Sequence, residues 1–171
     1  MIIEYNNKNC HNMSMIMDKS PAFDLNEAHR YFSAECFNRA WDYIDKPVRT
    51  PEEDQNMLLL GLASLWHWTQ RPDVTPGNYS IGYWQVARIY ALLGQPDTAR
   101  QFGLLCLENS QCEECQPFHL GYAYEALARA EALAGESTKA DEYLRLARQV
   151  SENMSDTEDL KRFLDDLATI H

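Results

Sequence analysis

Apolar side chains recur every three or four residues along most of the chain, the spacing of one face of a helix. Leu25, Ala28, Phe32, Cys36, Ala40 and Ile44 follow it, as do Leu160, Phe163, Leu164, Leu167 and Ile170 near the other end. Prolines punctuate the pattern: Pro21, Pro47, Pro51, Pro72, Pro76, Pro96 and Pro117 all lie between periodic segments or at their starts. Proline fits the first turn of a helix and breaks its interior. The chain therefore divides into about seven helices. Start signals agree, with Asp24 and Glu27 as a capping box, Thr50-Pro51-Glu52-Glu53, Thr75-Pro76, Gln95-Pro96-Asp97, and Ser155 with Glu158 as a further capping box. The segment Met57 to Trp68, MLLLGLASLWHW, is apolar nearly all round, which predicts a buried central helix. Alternating runs rich in Val, Ile and Thr are absent, so the class is all-α.

The periodic segments also repeat. YWQVARIYALLGQPDTARQFGLLCL from Tyr83 aligns with YEALARAEALAGESTKADEYLRLAR from Tyr124, at an offset of 41 residues. Val86 falls on Leu127, Ala87 on Ala128, Arg88 on Arg129, Leu92 on Leu133, Gly94 on Gly135 and Ala99 on Ala140. Gly94 and Gly135 suit a left-handed residue that ends the first helix of a pair. Ala99 and Ala140 suit a close crossing by the return helix, and Ala87 and Ala128 the same approach on the first. Each unit reads as a helix hairpin that buries its face on its neighbour.

The residues Tyr83, Val86, Ala87, Tyr90, Gly94 and Ala99, and again Tyr124, Leu127, Ala128, Gly135, Ala140 and Ala147, carry a resemblance to the tetratricopeptide family. The unit departs from that family's roughly 34 residues, with Gly103 at an aromatic position and Glu131 at a tyrosine position. From Ala40 to Arg129 the chain looks more closely like an uncharacterised group of bacterial tetratricopeptide-like proteins, through AW at Ala40, ASLWHW at Ala63, WQVARIY at Trp84, AYEALARA at Ala123 and the later FLDDLATI at Phe163. The resemblance implies a right-handed superhelix of antiparallel helix hairpins. Repeat units would span 76–115 and 117–153, with a degenerate first pair and a capping helix over 155–170. It implies no activity.

Composition narrows the partners. With 171 residues the chain suits one domain over 21–171, preceded by an Asn- and Met-rich arm, 1–20, expected to be poorly ordered. That arm has neither a basic region nor a continuous apolar run, so it does not read as a secretory signal. A formal net charge of −11 disfavours nucleic acid and anionic membrane surfaces, both of which select Lys and Arg. The five cysteines, an odd number in a chain too large to need staples, read as reduced thiols of a cytoplasmic protein.

Three constellations are candidates for chemistry. In tetratricopeptide-like packing the first helix of each pair lines a concave groove, and the repeat places Trp84 and Arg88, then Glu125 and Arg129, on that face, with Tyr122 a turn before. Glu125 and Arg129 are four apart, and Arg88 from the adjacent hairpin can reach the same carboxylate. This group reads either as an anion or peptide-carboxylate site or as an ion-pair network satisfied between helices. His67, between Trp66 and Trp68, reads as a ligand contact or a core histidine, and Trp68 as a ligand-contacting cap on the groove or a residue that closes the core. Cys112 and Cys115, with Cys106 and His119, make a possible zinc set; a single CxxC also fits free thiols. No phosphate-binding, nucleophile-elbow, dinucleotide or zinc-protease motif occurs. No cofactor is implied.

Two functional expectations follow. One is a non-catalytic module that binds a protein, peptide or partner helix in the groove of the third and fifth helices. The other is a small-molecule sensor or unrecognised enzyme, with a pocket around His67, Trp84, Arg88 and Glu125.

Overall fold

The computed structural model describes residues 22–171, so the expected N-terminal arm lies outside the described residues. These form seven helices: α1 (Leu25–Ile44), α2 (Pro51–Thr69), α3 (Pro76–Leu92), α4 (Pro96–Ser110), α5 (Pro117–Leu133), α6 (Ser137–Ser151) and α7 (Thr157–Leu167). No strand occurs among the described residues. None of these helices is long and apolar enough to cross a membrane.

Each helix packs on its successor, which makes three hairpins. The first helices of successive hairpins also pack on one another, α1 on α3 and α3 on α5. A buried glutamine fixes the first of these contacts, Gln85 Nε2 donating to the Phe37 carbonyl at 2.9 Å. Helix α7 has no return partner and lies against α5 and α6.

The local devices explain the boundaries. Thr50 and Thr75 each accept from the backbone three residues on, while Glu53 and Asn78 reach back, two reciprocal caps beside a proline at the first position. Asp24 caps α1, accepting from Asn26 and Glu27. The last helix begins differently from expectation: Asp156, not Ser155, is the cap, accepting from the amides of Glu158 and Asp159. Gly94 and Gly135 adopt φ of 71° and 78° and end the first helices of the second and third hairpins. Ala87, Ala99, Ala128 and Ala140 are all buried at the crossings. Gly103, at the family's aromatic position, lets α4 approach α5: a Cβ there would sit 2.9 Å from Leu127 Cδ2. The aromatic pair of one hairpin recurs in the next, Tyr83–Phe102 and Tyr124–Tyr143 both having centroids 6.2 Å apart.

The predicted buried centre is corrected. Helix α2 buries only Met57, Gly61, Ser64 and Leu65, and leaves Leu59 and Trp66 more than half exposed. The buried helices are α3 and α5, each packed by helices on several sides. Apolar residues all round α2 therefore did not decide its burial; its position on one side of the array did. Phe163 of α7 is fully buried, against Tyr122 and Gly121, and anchors that helix. Burial of a side chain of that size is worth about 1.5–3 kcal/mol.

Candidate functional site

Helices α1, α3, α5 and α7 line an open-mouthed cavity of about 570 Å³. Its walls are mostly aromatic: Phe37 and Trp41 from α1, Trp84 from α3, Phe118 and Tyr122 from α5. The rings form a continuous chain, Trp41–Trp84 at 5.7 Å, Trp84–Tyr122 at 4.7 Å and Phe118–Tyr122 at 4.7 Å between centroids. Tilted and edge-on contacts of this kind add to the area that the rings bury. Asp45, Ser80, Arg88, His119, Arg162 and Asp166 supply the polar part of the lining, and Ile81 completes it.

One buried carboxylate organises the floor. Glu125 is fully buried. It accepts from Trp84 Nε1 at 2.9 Å, Arg88 Nη1 at 3.0 Å, Arg129 Nε at 2.9 Å and Arg129 Nη2 at 2.6 Å. A buried charge costs several kcal/mol unless it is paired and hydrogen-bonded, and these four donors meet both conditions. Asp166 of α7 joins the network, ion-paired with Arg88 Nη2 at 3.1 Å and accepting from the Tyr122 hydroxyl at 3.0 Å. Arg129 extends to the Asp166 carbonyl and the Thr169 hydroxyl. Two arginines and two carboxylates thus balance, and α7 is latched across the face that the first helices present. Burial, reinforced by Asp166, pushes the Tyr122 hydroxyl far above its ordinary range, so it stays a donor.

Two buried side-chain nitrogens among the described residues lack a hydrogen-bond partner, Arg88 Nε and His119 Nδ1. Both belong to residues lining the cavity. Burial lowers the pKa of His119, which favours the neutral ring. Its Nε2 packs where Gly77 leaves room, 3.0 Å from the place a Cβ would occupy. Beside it Ser110 bridges Ser80 to the His119 carbonyl, at 2.7 and 3.1 Å.

The structure brings Trp84, Arg88 and Tyr122 to the cavity wall, with Glu125 and Arg129 behind them. It places His67 and Trp68 elsewhere. His67 Nδ1 lies 2.8 Å from His29 Nδ1, its ring packs on Phe32 and Trp66, and its pKa is lowered by burial and by His29. Trp68 stacks under the Arg71 guanidinium at 3.9 Å. The possible zinc set does not assemble: Cys112 and Cys115 are joined as a disulfide, which also corrects the expectation of reduced thiols. Cys106 is a buried thiol beside Ser80 and Ser110, with its pKa pushed up to about 11 by burial. No group of three metal-ligating side chains occurs among the described residues.

Sequence reasoning missed Phe37, Trp41 and Asp45, although a spacing of four sets them on one face of α1 and its end. It also missed Asp166, whose role depends on where α7 lies. The chain matches no protein-family model, and no curated protein or solved structure is significantly similar to it.

Proposed function

We propose that the chain is a non-catalytic binding module, tetratricopeptide-like in its hairpins, that holds a small organic molecule in the aromatic cavity of α1, α3, α5 and α7. The observation that carries this reading is the cavity itself. A cavity of about 570 Å³ lies within the roughly 300–1,000 Å³ of small-molecule sites, and its aromatic walls with few polar groups fit their usual make-up. Helix α7 is tied by Asp166 to Arg88 of α3 and Tyr122 of α5, which counts against an extended peptide running along those two helices. Glu125 is consumed by internal donors, which favours a structural role for it over partner recognition.

The test uses the full chain and a panel of small aromatic compounds, followed by thermal shift and by the fluorescence of Trp41 and Trp84. Ile81→Trp fills the cavity from a half-buried position. Panel members are expected to stabilise the wild type and not this variant, with circular dichroism unchanged between them. The reading is lost if no compound stabilises the wild type, or if the chain captures peptides with an affinity that Ile81→Trp leaves intact. The latter result would restore the peptide or partner-helix groove.

A further inference from the structure

Resting on that pocket reading, we infer that the occupant is a zwitterionic aromatic molecule of amino-acid to dipeptide size, its ring against the aromatic wall and its two opposite charges at the Asp45 end and at Arg162. The helix register places the groups. Trp41 and Trp84 meet at 5.7 Å between centroids. Asp45 follows Trp41 by four residues and Arg88 follows Trp84 by four, so each lies about one turn further along its helix. Asp166 is tied to that same end by Arg88 Nη2 at 3.1 Å. Arg162 precedes Asp166 by one turn on α7.

The charges of the lining then select the head group. Two guanidinium groups and two carboxylates face the cavity, a formal sum of zero. Asp45 and Arg162 are exposed and enter no ion pair among the described residues. They stand on separate elements, the end of α1 and the body of α7, and so offer one free charge of each sign. A purely cationic ligand would answer Asp45 and be repelled by Arg162, and an anion would meet the reverse. A phosphate group brings about two negative charges against two carboxylates. A neutral hydrocarbon would fill the aromatic walls but answer neither free charge. A molecule bearing both an ammonium and a carboxylate satisfies the free aspartate and the free arginine together. The aromatic body follows from Trp41, Trp84, Phe118 and Tyr122, whose faces and edges suit another ring.

Four phenyl probes separate these chemistries without absorbing where the indoles emit: L-phenylalanine, phenethylamine, 3-phenylpropionate and ethylbenzene. Binding to the full chain is followed by calorimetry and by tryptophan fluorescence. L-Phenylalanine is expected to bind at least about tenfold more tightly than either singly charged probe, a difference of about 1.4 kcal/mol. Asp45→Asn and Arg162→Gln, both at exposed positions, are expected to remove most of that preference while circular dichroism stays unchanged. If ethylbenzene or one singly charged probe binds as well as L-phenylalanine, the zwitterion inference falls and the pocket reading stands. The inference also falls if the preference survives both substitutions. If none of the four binds the wild type, this inference falls; the pocket reading itself is then judged by the wider panel and Ile81→Trp.

Discussion

Glu125 shows how one side chain can be both well anticipated and differently used. Its spacing from Arg129, and the repeat that superposes Arg88 on Arg129, announce a carboxylate between two guanidinium groups. Both contacts form, at 2.6 and 3.0 Å to the same oxygen. What the spacing does not carry is burial: four donors enclose a carboxylate with no exposed surface. Glu125→Gln keeps the shape but leaves the two arginines a charge short, and is expected to cost about 3–5 kcal/mol, read as a lowered urea midpoint at unchanged slope. Gly103 makes the complementary case. Its absent side chain looked like a departure from the family's aromatic, yet it permits the α4–α5 approach. Gly103→Ala would set a Cβ 2.9 Å from Leu127, itself fully buried, and is expected to cost about 1–3 kcal/mol by overpacking. Gly94→Ala meets no neighbour within 4 Å, so its penalty of about 1–2 kcal/mol comes from the positive φ alone.

Helices were legible where a sequence signal is local, and misread where their environment is not. Caps and prolines located α1 to α5 because the groups they satisfy belong to the same turn, and Gly135 marked the break before α6. The burial of α2 could not be obtained that way, since MLLLGLASLWHW looks the same whether two or four helices surround it. Helix α7 was read as a cap from its apolar stripe, and Phe163 and Leu167 do bury that stripe. Its polar edge carries the further role, because Asp166 reaches α3 and α5. Phe163→Ala is therefore expected to loosen the latch as well as the core. A loss of about 3–5 kcal/mol should accompany it, together with stronger acrylamide quenching of Trp84, which is 8% exposed in the closed arrangement. Stability lost without a change in quenching would mean that α7 anchors the array but does not close the cavity.

At the scale of the whole molecule, acidity and buried imidazoles act on stability in different pH windows. Burial lowers the pKa of both His67 and His119 below the ordinary imidazole value of about 6.5, and His29 adds to the effect at His67. Below about pH 6.5 the unfolded chain binds protons at these rings that the folded chain does not yet accept, so stability falls as the pH drops. Glu131 acts lower, because the Arg100 guanidinium holds its carboxyl below the usual 4.5; the stability it contributes is present above that value and lost as pH falls through the folded one. Melting temperature is thus expected to decline in two stages on acidification, first below about pH 6.5 and again below about pH 4.5. His67→Gln with His119→Gln should flatten the first stage and leave the second. A first stage that persists in the double variant would assign it to other groups, and with it would go the neutral imidazole beside the cavity. That ring bears on the pocket too, since a charged His119 would add a positive charge to a lining whose formal sum is zero.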